Sequence, residues 1–486
     1  MLPPLIPRNS ENLPAVCKSS LLLLFLCLAL VATSTLCAAA SNDPEKPAPA
    51  IAERTSIPGN TNVVPGNAHA LYPTNFGFQC GIGDTQECQG KGWDQIIWPS
   101  TAAQPGMLRL HDAGTHWSTI DEGNGTYNWV PLDNWLDLIA QHQPVKVSQV
   151  FTWVPCYLVG AHECLAPPTA PAGTNVPPHD LTAAGSPAFN NFVTQFVQHC
   201  SPAGNCVKNL IRGYEMWNEW DIKYHWTGSM EQIYQMVKPA VAIIRANVPN
   251  AVILTPSTTP DSDTGLGYQA DFQNWLNYEN SNGRISDWIA WHVYLTNTNY
   301  TTRTPEDQWN KYVVNYLSIQ SSTAGWQTTP WADTETNFNG APPPGLNYTC
   351  PAAQFTAADC TGQIVRWQLL HASNGGRNLA WYKWKQTIGN NSQYQTAYNN
   401  MMQYLGSGHF FAPCSSTTNG GISTWTCNFV ESSGTNAIWV WTPSESGTTY
   451  TVPSGYVDYR DLSGDKTSVT AGHSITIGPK PIMLEQ

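Results

Sequence analysis

Two glutamates stand at the ends of predicted strands and beside tryptophans, a setting in which a carboxylate can do acid/base chemistry. Glu219 follows the alternating apolar run 210–217, and Glu335 lies in a second such run, 330–336. Glutamate is disfavoured in strands and is rarely buried without a partner. We therefore interpret Glu219 as a side chain directed into a cleft, with a perturbed pKa.

A pair of carboxylates across a cleft meets the chemical requirement of glycoside hydrolysis. One acid protonates the leaving oxygen, while the other attacks the anomeric carbon or activates water. Glu335 lies nearer the predicted cleft mouth than Asp333, so Glu335 is the better nucleophile and Asp333, on the same strand face, is the alternative. One acid at a strand end is more often a cap, but two on different strand ends favour a catalytic pair.

Other polar and aromatic residues at predicted strand ends could complete such a site. Arg109 could keep the nucleophile ionised, Asn218 could bind a sugar hydroxyl, and tryptophans could form a floor on which a pyranose stacks. These residues also have structural interpretations: Arg109 could belong to a core ion pair, His292 could be a hydrogen-bonded buried histidine, and the tryptophans could fill the barrel. The predicted substrate-binding residues are Arg109, Trp153, Asn218, His292, Tyr294, Trp381 and Trp384.

A second acid in the same strand, Glu215, shares strand parity with Glu219 but lies lower in the predicted strand. We interpret it as a structural acid paired with Arg109 or Arg212. Glu219, in contrast, should have a raised pKa because of burial and the nearby charge of Glu335.

Strands and amphipathic helices alternate along most of the chain, which predicts a (β/α)8 barrel. The alternative is an open doubly wound sheet, but no Gly-x-Gly-x-x-Gly follows the first strand. Predicted strands are 72–82, 107–111, 145–154, 210–217, 251–255, 287–295, 330–336 and 378–384, and the clearest helices are 132–142, 188–199, 230–247, 309–320 and 362–372.

After residue 400 the pattern changes to short strands separated by turn residues, which predicts a small all-β, sandwich-like domain packed on the barrel. The Pro- and Ala-rich stretch 41–70 has no periodicity and reads as a linker. The predicted organisation is therefore a signal peptide at 1–40, this linker, a catalytic barrel at 71–400 and an accessory domain at 401–486.

Composition narrows the class of ligand. The 486-residue chain has 12% charged residues, a net charge of -12 and 21 tryptophans, so it has no basic stripe for nucleic acid. A surface rich in Asn, Thr, Ser, Gln and Tyr suits neutral polyhydroxylated ligands, and no cofactor is expected. Composition alone is equally compatible with a secreted protein that has a low-charge surface.

The N-terminal segment has the order of a secretory signal: basic Arg8 and Lys18, the apolar run 21–32, and small residues up to Ala40. Export is therefore predicted, to a periplasmic or extracellular location, and an uncleaved membrane anchor is the minority interpretation. Ten cysteines beyond this segment fall into close couples, which favours sequential disulfides because short loops are the least costly to close. The predicted pairs are Cys80–Cys88, Cys156–Cys164, Cys200–Cys206, Cys350–Cys360 and Cys414–Cys427.

Two other functional classes remain open from the residues. A non-catalytic carbohydrate-binding protein on a barrel would keep the aromatic floor but has no need of both carboxylates. A metal-dependent hydrolase could use His111, Asp112 and His116, although their spacing matches no further ligand set. The residues therefore favour an enzyme without a metal.

The motifs together resemble the clan of retaining (β/α)8 glycosidases. The run from Tyr214 to Glu219, Tyr-Glu-Met-Trp-Asn-Glu, is most similar to glycoside hydrolase family 39, the β-xylosidase and iduronidase group, although Trp220 stands where a proline is usual. The resemblance covers roughly residue 71 to the C-terminus. It implies that Glu219 is the acid/base, that Glu335 is the nucleophile and that Asn218 binds the 2-hydroxyl.

The resemblance does not specify which sugar is cleaved. Few Lys or Arg residues stand at the predicted cleft mouth, which favours a neutral oligo- or polysaccharide over a uronic acid.

Overall fold

A closed ring of parallel strands forms the centre of the protein in this computed structural model. The structure describes residues 69–71, 76–79, 106–160, 173–295, 304–338, 350, 355–406 and 408–486. We number the ring strands β1 Phe76–Gln79, β2 Met107–Leu110, β3 Lys146–Val150, β4 Gly213–Glu215, β5 Val252–Leu254, β6 Ile289–His292, β7 Trp331–Thr336 and β8 Leu379–Trp381.

The strands pair in the order β5, β4, β3, β2, β1, β8, β7 and β6, and every pairing is parallel. Backbone hydrogen bonds close the ring between β5 and β6, since Thr255 N donates to Trp288 O at 3.0 Å and His292 N donates to Thr258 O at 2.9 Å. The predicted (β/α)8 barrel is confirmed. Because all strands run the same way, their carboxyl ends share one rim, where the candidate residues lie.

Helices surround the ring, and several of them begin at a side chain that caps the first turn. Ser229 and Gln232 form a capping box at the start of Met230–Asn247, and Ser186 caps Pro187–Gln198. The other α-helices are Trp117–Ile120, Val130–Gln141, Val207–Leu210, Tyr268–Asn282, Pro305–Gln308, Val314–Ser322, Ala357–Ser373 and Ser392–Leu405; Cys156–Leu158 is 3₁₀, and Trp309–Val313 and Lys385–Gly389 are π-helical.

The helix Tyr268–Asn282 is absent from the sequence-based predictions. It buries two acids, Asp271 and Glu279, on the same face as Phe272 and Trp275. These acids interrupt the apolar stripe that identifies a helix from sequence, and they are tolerated because neighbouring side chains hydrogen-bond them.

The C-terminal residues form antiparallel sheets, as predicted. The main sheet contains His409–Phe410, Ser415–Asn419, Ile422–Val430, Asn436–Trp441, Asp458–Arg460, Lys466–Ser468 and Ile482–Glu485, and the strand His69–Ala70 pairs with its edge. Thr448–Thr451 and Ser474–Ile477 form a second, two-stranded sheet. Two short hairpins, Asp121–Gly123 with Thr126–Tyr127 and Val154–Pro155 with Gly173–Thr174, belong to the barrel loops.

The main antiparallel sheet is buried on two sides. Ile438, Val440 and Leu484 join a small core with residues of the two-stranded sheet, which makes this region sandwich-like. The alternate residues Trp439 and Trp441 belong to the large core shared with the barrel.

Three of the predicted disulfides, Cys200–Cys206, Cys350–Cys360 and Cys414–Cys427, are present. The pairs Cys80–Cys88 and Cys156–Cys164, the predicted signal segment and most of the predicted linker involve positions outside the described residues. Within the described part of the chain, no helix is long and apolar enough to cross a membrane.

Candidate active site

Arg109, at the carboxyl end of β2, is the centre of the polar cluster on the barrel rim. Its guanidinium donates five hydrogen bonds: two to Glu215 (2.9 and 2.7 Å), and one each to Gln79 (2.7 Å), Glu335 (2.7 Å) and Asn218 (2.8 Å). These use all five N–H groups of an arginine. Arg109 therefore acts as a rigid template that orients residues from β1, β4 and β7.

The ion pair between Arg109 and Glu215 is buried and confirms the structural role predicted for Glu215. Burial opposes both charges, but the attraction of the Arg109 guanidinium lowers the pKa of Glu215 to about 2. The charges of Glu215 and Glu335 likewise raise the pKa of Arg109 above its usual value. The pair thus stays ionised at every ordinary pH.

Glu335 is held by two donors, one on each carboxylate oxygen. Arg109 Nη1 binds Oε2 at 2.7 Å, and the Tyr294 hydroxyl donates to Oε1. Burial and the adjacent carboxylate raise the pKa of Tyr294 well above its usual value, so it remains a donor. Glu335 is therefore fixed in orientation, with one donor on each of its carboxylate oxygens.

Glu219 contacts two histidines through its two oxygens. His292 Nδ1, from β6, lies 2.7 Å from Oε1, and His225 Nε2, from the loop after β4, lies 3.1 Å from Oε2. His292 Nε2 in turn lies 3.1 Å from the Thr334 hydroxyl. Trp153, one of the predicted binding residues, packs against His225 with ring centroids 5.2 Å apart.

Glu219 and His292 form a hydrogen-bonded ion pair, with the proton on the histidine. Burial opposes both charges, but hydrogen bonds from His225 and His292 lower the pKa of Glu219 below its usual range. Burial likewise opposes protonation of His292, but the charge of Glu335 and the bonds to Glu215 and Glu219 raise the pKa of His292 to about 10. The prediction that the pKa of Glu219 is raised is wrong, because His225 and His292 both contact its carboxylate.

The two candidate catalytic carboxylates face each other at short range. One oxygen of Glu219, one of Glu335 and a ring nitrogen of His292 all lie within 4.8 Å of one another. The glutamates are 116 positions apart in sequence, and only the parallel strands β4 and β7 bring their ends together. Their side chains keep 12% and 8% of their surface exposed, whereas that of Arg109 is fully buried.

A bulge in β7 separates Glu335 from Asp333. The pairing of β6 with β7 shifts register at this point, because His292 pairs with Glu335 although Trp291 pairs with Asp333. Asp333 consequently lies on the outer side, 3.2 Å from His371 of the helix Ala357–Ser373. The prediction that Asp333 and Glu335 share a face is wrong, because the inserted residue reverses the strand alternation.

Several residues at this rim have a strained backbone. Asp112, Trp153, Glu219 and Lys383 have φ values of 53°, 60°, 40° and 51°, in the left-handed region that non-glycine residues seldom adopt. Each stands just beyond a strand end. Strain of this kind persists where the surrounding structure enforces it, and it is common at active sites.

The overall structure is similar to those of several glycosidases. A glucosidase from Croceicoccus marinus matches with a TM-score of 0.56 and 14% identity over 85% of this chain and 95% of its own. A family 39 glycoside hydrolase from Bacteroides cellulosilyticus WH2 matches at 0.58 and 12% over 85% and 81%. A family 39 β-xylosidase from Caulobacter crescentus matches at 0.53 and 12% over 86% and 97%.

The fold is that of the (β/α)8 glycoside hydrolases. At these sequence identities the similarity concerns the fold alone. The candidate active site is inferred from the distances and hydrogen bonds of its own residues. No protein-family model matches the sequence, and a search of curated proteins finds no match.

Trp381 and Trp384, which were predicted to form a stacking floor, both contact neighbouring side chains. Trp381 Nε1 donates to Thr387 at 2.8 Å, and Trp384 packs on Tyr398 of the outer helix Ser392–Leu405. They are only 2% and 3% exposed. Both indoles therefore pack within the protein.

Tyr382, between these tryptophans, has the opposite strand parity and points to the rim. Its hydroxyl donates to Asp112 Oδ2 at 2.9 Å. Sequence reasoning missed Tyr382 and His225. Tyr382 could have been found from its alternation with Trp381, but His225 lies in a loop without periodicity.

The residues weighed as metal ligands do converge. Ligand atoms of His111, Asp112 and His116 lie within 4.8 Å of one another. However, His116 Nε2 accepts the backbone N–H of Asp112 at 3.1 Å, which occupies the lone pair a metal would need. This arrangement favours a hydrogen-bonded cluster over a metal centre.

Proposed function

We propose that this protein is a secreted retaining glycoside hydrolase that cleaves a neutral oligo- or polysaccharide. The observation that carries the proposal is the approach of Glu219 and Glu335 within 4.8 Å between carboxylate oxygens. Retaining enzymes hold their carboxyl groups about 5 to 5.5 Å apart, whereas inverting enzymes need about 6.5 to 9.5 Å to admit water. The spacing therefore supports a double displacement.

In the first step Glu335 attacks the anomeric carbon and forms a glycosyl ester, while the bond to the leaving oxygen breaks. Arg109 and Tyr294 orient the attacking carboxylate. The leaving oxygen takes its proton from Glu219, and His292 Nδ1 supplies the proton to Glu219. The glutamate and histidine thus act together as the general acid.

In the second step water replaces the leaving group. Glu219 takes a proton from the water, the water oxygen bonds to the anomeric carbon, and the ester bond to Glu335 breaks. The proton returns to the pair of Glu219 and His292. Two inversions restore the original anomeric configuration.

Asn218 is assigned to a substrate hydroxyl beside the scissile bond. Its Oδ1 accepts from Arg109 Nη2 at 2.8 Å, and its Nδ2 lies 3.3 Å from His225 Nε2. The bond from Arg109 fixes the amide orientation, so the amide nitrogen lies on the side of His225, which also contacts Glu219.

The charge of the site supports a neutral substrate. Arg109 donates all its N–H groups to protein acceptors, so it cannot also clamp a uronic acid carboxylate. The nearby carboxylates would repel such a group. The three disulfides and the apolar N-terminal segment support export, since disulfides persist in oxidising compartments.

The configuration of the first product tests the mechanism. A screen of 4-nitrophenyl glycosides and polysaccharides identifies a substrate, and proton NMR during early turnover identifies the product anomer. We expect the same anomer as the substrate; the opposite anomer would overturn the double displacement. Failure to cleave every glycoside would overturn the function.

Replacement of the nucleophile gives a second test with a matched control. Glu335→Gln should lower kcat by more than about 10⁴-fold, as loss of a covalent nucleophile does elsewhere. Asp333→Asn changes a buried carboxylate of the same strand that faces His371, and it should retain most activity. Full turnover by Glu335→Gln would show that the assignment is wrong.

A further inference from the structure

Gln308 connects the tyrosine beside the candidate nucleophile to a helix outside the ring of strands. Its side-chain Nε2 donates to the backbone oxygen of Tyr294 at 3.0 Å. The hydroxyl of the same tyrosine donates to Glu335 Oε1. Gln308 is the last residue of the helix Pro305–Gln308, and it is only 1% exposed. A buried amide thus holds the backbone of the residue whose side chain holds Glu335.

Hydrogen bonds restrain the chain around Tyr294 from two directions. The preceding carbonyl, of Val293, accepts the hydroxyl of Thr336 in β7 at 2.7 Å, whereas the carbonyl of Tyr294 accepts from Gln308. Tyr294 and Gln308 also line a small cavity with residues 259–261 of the loop after β5. Because packing does not restrain Tyr294 on that side, its position depends on these hydrogen bonds.

The helix that carries Gln308 is attached to the C-terminal sheet. Trp441 Nε1, at the end of the strand Asn436–Trp441, donates to Glu306 Oε1 at 2.7 Å, and Arg366 Nη1 lies 3.5 Å from Glu306 Oε2. All three side chains are buried. Glu306 is two positions from Gln308 in the same helical turn, so a shift of the helix would break the contact with Trp441.

The short helix Pro305–Gln308 depends on such contacts for its position. It has four residues, begins at a capping box formed by Thr304 and Asp307, and continues into the π-helix Trp309–Val313. An isolated helix of this length is unstable in water, so tertiary contacts decide where it lies. The C-terminal sheet therefore helps to fix the point from which Gln308 donates.

We propose that Gln308 is a positioning residue for the nucleophile, and that the C-terminal sheet holds it in place through Trp441 and Glu306. This inference rests on the proposed glycosidase function. The bond from Gln308 fixes the backbone of Tyr294, and the hydroxyl of Tyr294 then directs the carboxylate of Glu335 towards the anomeric carbon. The C-terminal sheet accordingly contributes to catalysis as well as to the core.

Gln308→Met tests this link, because it nearly preserves the length of the side chain and removes the donor. The measurement is single-turnover release of 4-nitrophenol, with excess enzyme, from the 4-nitrophenyl glycoside that the wild type cleaves best. The rate constant should fall by about 10- to 100-fold, since small misplacements of reacting groups cost this much. The apparent Kd should change by less than about threefold, because contacts with the substrate remain. Gln308→Leu, which also lacks the donor, is used if Gln308→Met does not fold.

A double-mutant cycle distinguishes positioning from general destabilisation. Tyr294→Phe removes the hydroxyl through which Gln308 acts. Adding Gln308→Met to Tyr294→Phe should therefore change the single-turnover rate constant by less than about twofold. If the two losses multiply instead, the positioning role of Gln308 is overturned.

A second cycle tests the contribution of the C-terminal sheet. Trp441→Phe should lower the single-turnover rate constant by about 2- to 10-fold, and it should have almost no further effect in the Gln308→Met background. An unchanged rate constant in Trp441→Phe, or losses that multiply, would overturn the role of the sheet.

Gln320→Met is the matched control. Gln320 is also a buried glutamine that donates to backbone oxygens, those of Trp326 at 3.1 Å and Thr329 at 2.6 Å, but it lies in the outer helix Val314–Ser322. This variant should lower Tm and retain the wild-type rate constant. A loss of rate equal to that of Gln308→Met would show that any buried glutamine has this effect and would overturn the positioning role.

The outcomes separate the positioning role from the proposed function. An active wild type whose Gln308→Met variant keeps the wild-type rate constant would overturn the positioning role alone. A wild type that cleaves no glycoside would overturn the function and the positioning role together.

Discussion

His292 Nδ1 lies 2.7 Å from Glu219 Oε1. His292 is the last residue of β6, whereas Glu219 lies in the loop after β4. At this distance the protonated His292 ring donates to the Glu219 carboxylate, and the two residues titrate as a unit. The acidity of the proposed catalytic acid is therefore set by the pair.

Removal of His292 should shift the pH dependence of catalysis. The pair keeps its proton until the pH approaches about 10, the pKa of His292. In His292→Gln the proton is held by Glu219 alone, so the alkaline limb of kcat/KM should move down by about two pH units or more. The measurement is a pH profile from 4 to 10.

His199→Gln is the control for this profile. His199 also pairs with a carboxylate, Asp133, at 2.6 Å, but at the ends of two outer helices. The alkaline limb of the kcat/KM profile of His199→Gln should match that of the wild type. An alkaline limb in His292→Gln that matches the wild type would refute the coupling between His292 and Glu219.

Glu219→Gln should affect substrates according to their leaving group. Without the general acid, kcat/KM for glycosides with poorly acidic alcohols should fall by about 10²- to 10⁴-fold. Activated 2,4-dinitrophenyl glycosides need no protonation, so their first step should be nearly unchanged. Glu279→Gln, a buried acid bound to Ser286 and Trp275, should show no such dependence; a uniform loss in Glu219→Gln would contradict the role.

Glu215→Gln should destabilise the protein in a pH-dependent way. Loss of one partner from a buried ion pair costs about 3 to 5 kcal/mol. Because the folded pKa of about 2 lies below the unfolded value, the advantage of the wild type is full above about pH 4.5 and is lost as the pH falls towards 2. Urea unfolding of both proteins at pH 7 and pH 3 measures this difference in the free energy of unfolding.

If the difference in the free energy of unfolding between wild type and Glu215→Gln does not shrink in acid, the ion pair is contradicted.

Glu279 should show the opposite pH dependence of stability, because burial raises its pKa. The wild type should therefore lose stability relative to Glu279→Gln as the pH rises through the folded pKa.

Trp441→Phe should weaken the attachment of the C-terminal sheet to the barrel. Trp441 Nε1 donates to Glu306 at 2.7 Å. The variant leaves this buried carboxylate with one hydrogen bond fewer, which should lower the free energy of unfolding by about 1 to 3 kcal/mol. Trp439→Phe is the control, because Trp439 Nε1 is buried without a partner among the described residues. Equal losses of Tm would show that the hydrogen bond is unimportant.

The barrel and both glutamates could be predicted because they depend on local pattern. Apolar runs of strand length alternate with helical periodicity, and a charged residue at the end of such a run is conspicuous. The bulge in β7 could not be predicted, because strand parity assumes an unbroken ladder. The same assumption misplaced Asp333.

The orientation of the tryptophans after β8 also depended on tertiary structure. Trp381 and Trp384 pack inside the protein, whereas Tyr382 reaches Asp112, which lies 270 positions away. Composition indicates that aromatic residues are abundant, but only the turn after the strand decides which ring faces the rim.

The sequence by itself determined the alternation of strands and helices in the barrel, three of the sequential disulfides and the positions of the two candidate carboxylates, because these follow from spacing along the chain. Only the tertiary structure decided which groups contact His292 and which groups share Arg109. The residues that share Arg109 lie between 30 and 226 positions from it, and their charges depend on burial that sequence spacing does not encode.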